Sequence, residues 1–86
     1  MQNLNRLRQE IDTIDKDLLR LIKKRVGVVQ KIGELKKELS IPVKDPERER
    51  LVLEKLVKET EDSELSAEAI EKIWRTIFDV SYKVER

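Results

Sequence analysis

Residues 4–39 read LNRLRQEIDTIDKDLLRLIKKRVGVVQKIGELKKEL, and no proline interrupts them. Apolar side chains fall at Leu4, Leu7, Ile11, Ile14, Leu18, Leu21, Val28, Ile32, Leu35 and Leu39. The steps of three and four wind a single apolar seam along a helix, broken only where Arg25 takes a seam position. A helix of that length extends about 54 Å. A compact domain of 86 residues has a radius of gyration near ~12 Å, so the helix overshoots its own globule. Its seam nevertheless stays apolar to both ends, and the overhang needs a cover. A second copy of the chain is the simplest one, since most oligomers are symmetric dimers. The expected fold is therefore all-α, with three helices per chain, one of them very long, intertwined as a homodimer in a helical bundle. A plain coiled-coil or helical-hairpin interaction module fits the same periodicity.

The rest of the chain supplies the other two helices. Pro42 disfavours a helical conformation at Ile41 and ends the first helix within SIPVKDPERER. Asp45 followed by Pro46 reads as a helix N-cap and first helical residue, and Glu47 and Glu49 suit the positive end of the helix dipole. The second helix is expected from about Pro46 to Glu59, with Leu53, Leu56 and Val57 as its buried stripe. TEDSELS is a polar connection, and Ser66 is the N-cap of a third helix expected to bury Ile70, Ile73, Trp74, Ile77 and Val84. No repeat or low-complexity tract divides the chain, so residues 1–86 read as one domain.

Composition narrows the chemistry. Charged residues make up 43% of the chain, yet 19 Lys+Arg against 18 Asp+Glu leave a net charge of +1. So even a balance gives no broad positive field, which argues against nucleic acid or an anionic membrane as partner. Cysteine and histidine are both absent. That removes disulfides, Ser–His and Cys–His nucleophiles, the usual zinc ligands and the commonest general base. No metal site is expected, and any catalysis must come from Arg, Lys, carboxylates and hydroxyls. No apolar run approaches the ~20 residues that span a bilayer, and the expected setting is soluble and cytoplasmic.

Arg25 is the most informative single residue. Its neighbours along the seam are Leu, Ile and Val, and a buried guanidinium needs an anion. That anion is either a carboxylate from another helix or a ligand inside the bundle. Lys36 follows eleven residues later, about 16 Å along nearly the same face, so the two cations can flank a small dianion. Taken alone, a lysine such as Lys36 is more often a solvated charge. Asp45, Arg48 and Glu49 cluster at the start of the second helix, where a cap and solvated charges account for them as simply as a binding role. Ser81 lies on the stripe of the third helix, four residues after Ile77, where a lone serine commonly bonds its own backbone carbonyl one turn back. Glu85 follows four residues later, close enough to the terminus to fray.

As a set, LRQEIDTIDKDLLRLIKKR, IGELKKELSIPVKDPERE and the closing DVSYKVER resemble the all-helical, AroQ-type chorismate mutases. The resemblance runs over nearly the whole chain. Its specific part is an ordered series: Arg8 in the first Leu-Arg pair, Arg25 in Lys-Lys-Arg, Lys36 after Gly-Glu-Leu, then Pro-Val-x-Asp-x-x-Arg-Glu. The resemblance implies an intertwined dimer that rearranges chorismate to prephenate in aromatic amino-acid biosynthesis, with no cofactor. It implies that Arg25 binds a substrate carboxylate and that Arg8 binds another from the second subunit. About 25 Å of helix separates the two within one chain, too far for both to hold one small molecule. It further implies that Lys36 contacts the ether oxygen and a carboxylate, that Asp45 and Glu49 bind or face the ring hydroxyl, that Arg48 orders the site, and that Ser81 touches a carboxylate. Position 85 departs from the bacterial pattern, which has glutamine there, although related eukaryotic members are similar to this chain in using glutamate. Glu85, with Lys36 and Arg25, is expected to act on the reacting atoms. An isochorismate pyruvate lyase of the same fold and a non-enzymatic dimerisation module are the alternatives.

Overall fold

The computed structural model describes residues Met1 to Arg86 as three helices: α1 (Gln2–Leu39), α2 (Pro46–Glu59) and α3 (Ala67–Glu85). The helix ends follow from local chemistry. α1 stops where Ser40 turns left-handed (φ 56°), and the Ser40 and Ile41 N–H groups close back on the carbonyls of Lys37 and Lys36. Such a closure satisfies carbonyls that the helix end would leave orphaned. Asp45 caps α2 by accepting from the Arg48 N–H at 3.0 Å, and Ser66 caps α3 by accepting from Ala69 N–H at 3.0 Å.

α3 is the hub, since it packs on both α1 and α2, which do not pack on each other. Within one chain only Val29, Ile70 and Phe78 are buried apolar side chains. The seam from Leu4 to Leu39 lies exposed along its whole length, and the chain measures 56 × 25 × 15 Å with a radius of gyration of 16.3 Å. The expected overshoot is thus present.

The inward face differs in detail from the expected one. Ile73 is 47% exposed, whereas Phe78, which lies off the expected stripe, is 6% exposed. Trp74, Ile77 and Val84 are half-buried, as are Leu53, Leu56 and Val57 of α2. On α1 the residues turned towards α3 are Val29 and Gly33, neither of them on the seam. Gly33 is a close-approach glycine: a Cβ there would meet the Glu85 Cα at 2.8 Å and the Glu85 carbonyl oxygen at 2.9 Å. The end of α3 therefore lies directly on the backbone of α1, which only glycine permits.

Candidate active site

Seven of the eight expected site residues line one cavity of about 330 Å³: Arg25, Lys36, Asp45, Arg48, Glu49, Ser81 and Glu85. Its apolar wall includes Val29, Ile32 and Phe78. Such a volume lies in the range of small-molecule sites. α1 contributes the first two cations, the start of α2 the Asp45–Glu49 cluster, and the last turns of α3 the serine and the glutamate. Arg8 is the residue not brought to the cavity; it lies seventeen positions before Arg25 on the same helix, roughly 25 Å away. A larger hollow of about 560 Å³ opens between α2 and the start of α3, but it holds none of the expected residues. Its arginine, Arg50, is already paired with Glu47 and Glu54.

The electrostatics inside the cavity are uneven. Arg25 meets no carboxylate; its guanidinium donates to the Ser81 hydroxyl, which in turn donates to the Ile77 carbonyl at 2.8 Å. The backbone reading of Ser81 holds, since the hydroxyl bonds its own helix one turn back, and it also receives Arg25. Arg48 makes no side-chain hydrogen bond or ion pair, and its guanidinium also stands free of carboxylates. Lys36 is paired: its Nζ lies 2.6 Å from Glu85 Oε1 and donates to the Val43 carbonyl at 2.7 Å. The Lys36 ammonium is the one partner of Glu85 Oε1, which is otherwise buried. Glu85 is helical and buried, which argues against the fraying its position suggested.

Two further residues reach the site unforeseen by sequence reasoning. The Tyr82 hydroxyl donates to Glu49 Oε2 at 2.5 Å and accepts from the Asp45 N–H at 3.3 Å, while Arg75 donates to Glu49 Oε1 at 2.7 Å. The signal was available. Arg75, Phe78, Tyr82 and Glu85 follow one another in steps of three, four and three, the spacing of one helix face. Burial, and after it the hydrogen bond to Glu49, push the Tyr82 phenol above its ordinary 10.0.

Two arginines without carboxylate partners, beside a paired lysine, are groups that can hold an anion. Comparison with known proteins places the chain in a family. Residues 7–86 match the family described as chorismate mutase type II. The chain belongs to this family. It is 37% identical over 89 residues to the bifunctional chorismate mutase/prephenate dehydratase of Aquifex aeolicus, covering all of this chain and 25% of that protein. It is 36% identical over 85 residues to the T-protein of Haemophilus influenzae, covering 99% of this chain and 22% of that one. The chain thus spans about a quarter of the length of these relatives. Among solved structures, form II of the chorismate mutase of Thermus thermophilus superposes with a TM-score of 0.92 at 36% identity, covering 96% of this chain and 93% of the other. The chorismate mutase of Helicobacter pylori in complex with prephenate superposes with a TM-score of 0.88 at 31% identity, covering 99% and 91%. No helix is long and apolar enough to cross a membrane.

Proposed function

We propose that this chain is a cytoplasmic chorismate mutase, an isomerase that converts chorismate to prephenate without a cofactor, as a homodimer in which each site is completed by Arg8 of the second copy. The observation that carries the reading is the cavity itself. Arg25 and Arg48 face it without carboxylate partners, and Lys36 faces it beside them, on a chain that belongs to the chorismate mutase family.

The reaction is unimolecular: the ether C–O bond breaks as a C–C bond forms, and no proton is transferred. The site therefore needs neither nucleophile nor base, which suits a chain without Cys or His. Arg25 and Ser81 hold one carboxylate, and the second copy's Arg8 holds the other. Together they restrain a flexible dianion in its reactive shape. Negative charge develops on the ether oxygen as the bond stretches, and Lys36 lies where it can meet that charge. Its attraction is stronger in the transition state than in the ground state, which is the condition for acceleration. Glu85 supports the same oxygen when protonated, since only the acid form can donate. Asp45 and Glu49 face the ring hydroxyl, and Arg48 orders the site. The apolar wall of Val29, Ile32 and Phe78 lowers the local dielectric and strengthens each of these contacts.

The test is an assay of chorismate consumption and, separately, of isochorismate consumption, with identification of the products. Prephenate from chorismate is the expected product. Pyruvate from isochorismate without prephenate would reassign the site to a lyase, and no turnover of either would reduce the chain to a dimerisation module.

A further inference from the structure

Glu49 is the most constrained carboxylate in the cavity. Its two oxygens are held by different side chains of α3, Oε2 by the Tyr82 hydroxyl and Oε1 by Arg75. The Tyr82 hydroxyl also receives the N–H of Asp45, the residue that caps α2, so one phenol fixes both the carboxylate and the helix start that carries it. Seven residues, two turns, separate Arg75 from Tyr82, which lets them grip from one face of α3. The two grips differ in setting. Arg75 is 59% exposed and holds Glu49 from the rim, whereas the Glu49 side chain is 15% exposed and Tyr82 lines the cavity. A carboxylate has about four acceptor positions, so two donors leave Glu49 able to accept another hydrogen bond from inside the cavity.

We propose that Tyr82 and Arg75 are positioning residues: they fix Glu49 as an oriented acceptor for the ring hydroxyl of the substrate and so set the selectivity of the site for a hydroxyl-bearing ring. This rests on the chorismate reading above. A free glutamate would have to be ordered as substrate binds, and that loss of rotamer freedom weakens binding by about tenfold; here the ordering precedes binding.

The experiment compares Tyr82→Phe and Arg75→Gln with the wild type on chorismate and on a chorismate analogue lacking the ring hydroxyl. In each variant KM for chorismate should rise by up to about tenfold, with kcat less affected, while KM for the analogue stays unchanged. The preference for the hydroxylated ring therefore shrinks. Equal losses on both substrates would overturn the proposal, because they are what general loosening of the fold produces. Arg75 is exposed, so Arg75→Gln carries the comparison alone should Tyr82→Phe fail to fold. Should the wild type not turn over chorismate, the functional reading falls and the clamp is decided by titration instead. Tyr82 is the one tyrosine of the chain, so tyrosinate absorbance reports on it directly. Besides burial, which outweighs either effect, Glu49 holds the phenol proton by its hydrogen bond and its charge. Glu49→Gln should therefore bring the tyrosinate signal in at lower pH. An unchanged titration would overturn the clamp whatever the enzyme does.

Discussion

Arg25 meets a neutral partner where a carboxylate would have closed the matter. Its guanidinium donates to Ser81, itself anchored to Ile77, which leaves the positive charge unspent and aimed into the cavity. Lys36 is the opposite case, held by Glu85 and the Val43 carbonyl before any ligand arrives. On the proposed reading Glu85 serves the ether oxygen beside Lys36, yet the carboxylate that pairs with Lys36 can only accept a hydrogen bond. Glu85→Gln supplies a permanent donor of similar size and should raise kcat/KM for chorismate. An unchanged kcat/KM would show that Lys36 serves the ether oxygen alone. Tyr82 gives a prediction at the alkaline end. Burial holds its phenol protonated beyond the ordinary 10.0, so the fold binds that proton more tightly than the unfolded chain does. The resulting stability is complete below about pH 10 and is lost as pH climbs through the raised value. Denaturant midpoints measured across that window should fall more steeply for the wild type than for Tyr82→Phe, which has no proton to lose.

At the scale of elements, the decisive contact is that of Gly33 on α1 with the last turn of α3. A methyl group there would stand 2.8 Å from the Glu85 Cα, and a backbone atom cannot swing aside as a flexible side chain can. Gly33→Ala should cost about 1–3 kcal/mol through overpacking, outweighing the gain of up to ~1 kcal/mol that alanine brings to a helix. It should also lower activity by shifting Glu85 off Lys36. A thermal midpoint at or above the wild-type value would show that α3 is free to move away. Sequence reasoning placed all three helices well, because proline, capping residues and seam periodicity are local signals. It did not foresee which faces meet. α1 has to serve two neighbours, its own α3 and whatever covers the seam, and a three–four stripe marks apolar positions without assigning them. So Val29 and Gly33 face α3 while Ile32 and Leu35 of the seam stay exposed. The same ambiguity put Ile73 inside in place of Phe78, and with Phe78 went Tyr82 and Arg75, its companions on that face. Of the charged residues that line the cavity, only Arg25 departs from its own local pattern; Lys36, Asp45, Arg48, Glu49 and Glu85 were singled out by the resemblance to the ordered motif, since each suits its position as a cap or a solvated charge. Tyr82 was not, because an aromatic on an amphipathic helix reads as ordinary core.

At the scale of the molecule, a chain with three buried apolar side chains and a 38-residue helix whose apolar seam is exposed carries too little core to be stable alone. In the proposed dimer a second copy laid along α1 covers the seam and, running antiparallel, brings its own Arg8 to the cavity. Folding is then coupled to association, so the unfolding midpoint should rise with protein concentration; a midpoint independent of concentration over a hundredfold dilution would argue for a self-sufficient monomer. The central claim is that one dicarboxylate site is built from two chains, and mixing two dead variants tests it most directly. Arg8→Ala and Arg25→Ala homodimers each carry one lesion in every site. In a heterodimer both lesions fall in the same site, and the other site is whole. After co-refolding in equal amounts, half the dimers are mixed and each has one working site, so roughly a quarter of wild-type chorismate mutase activity should return. Activity no greater than that of the two parent variants would contradict a site shared between subunits.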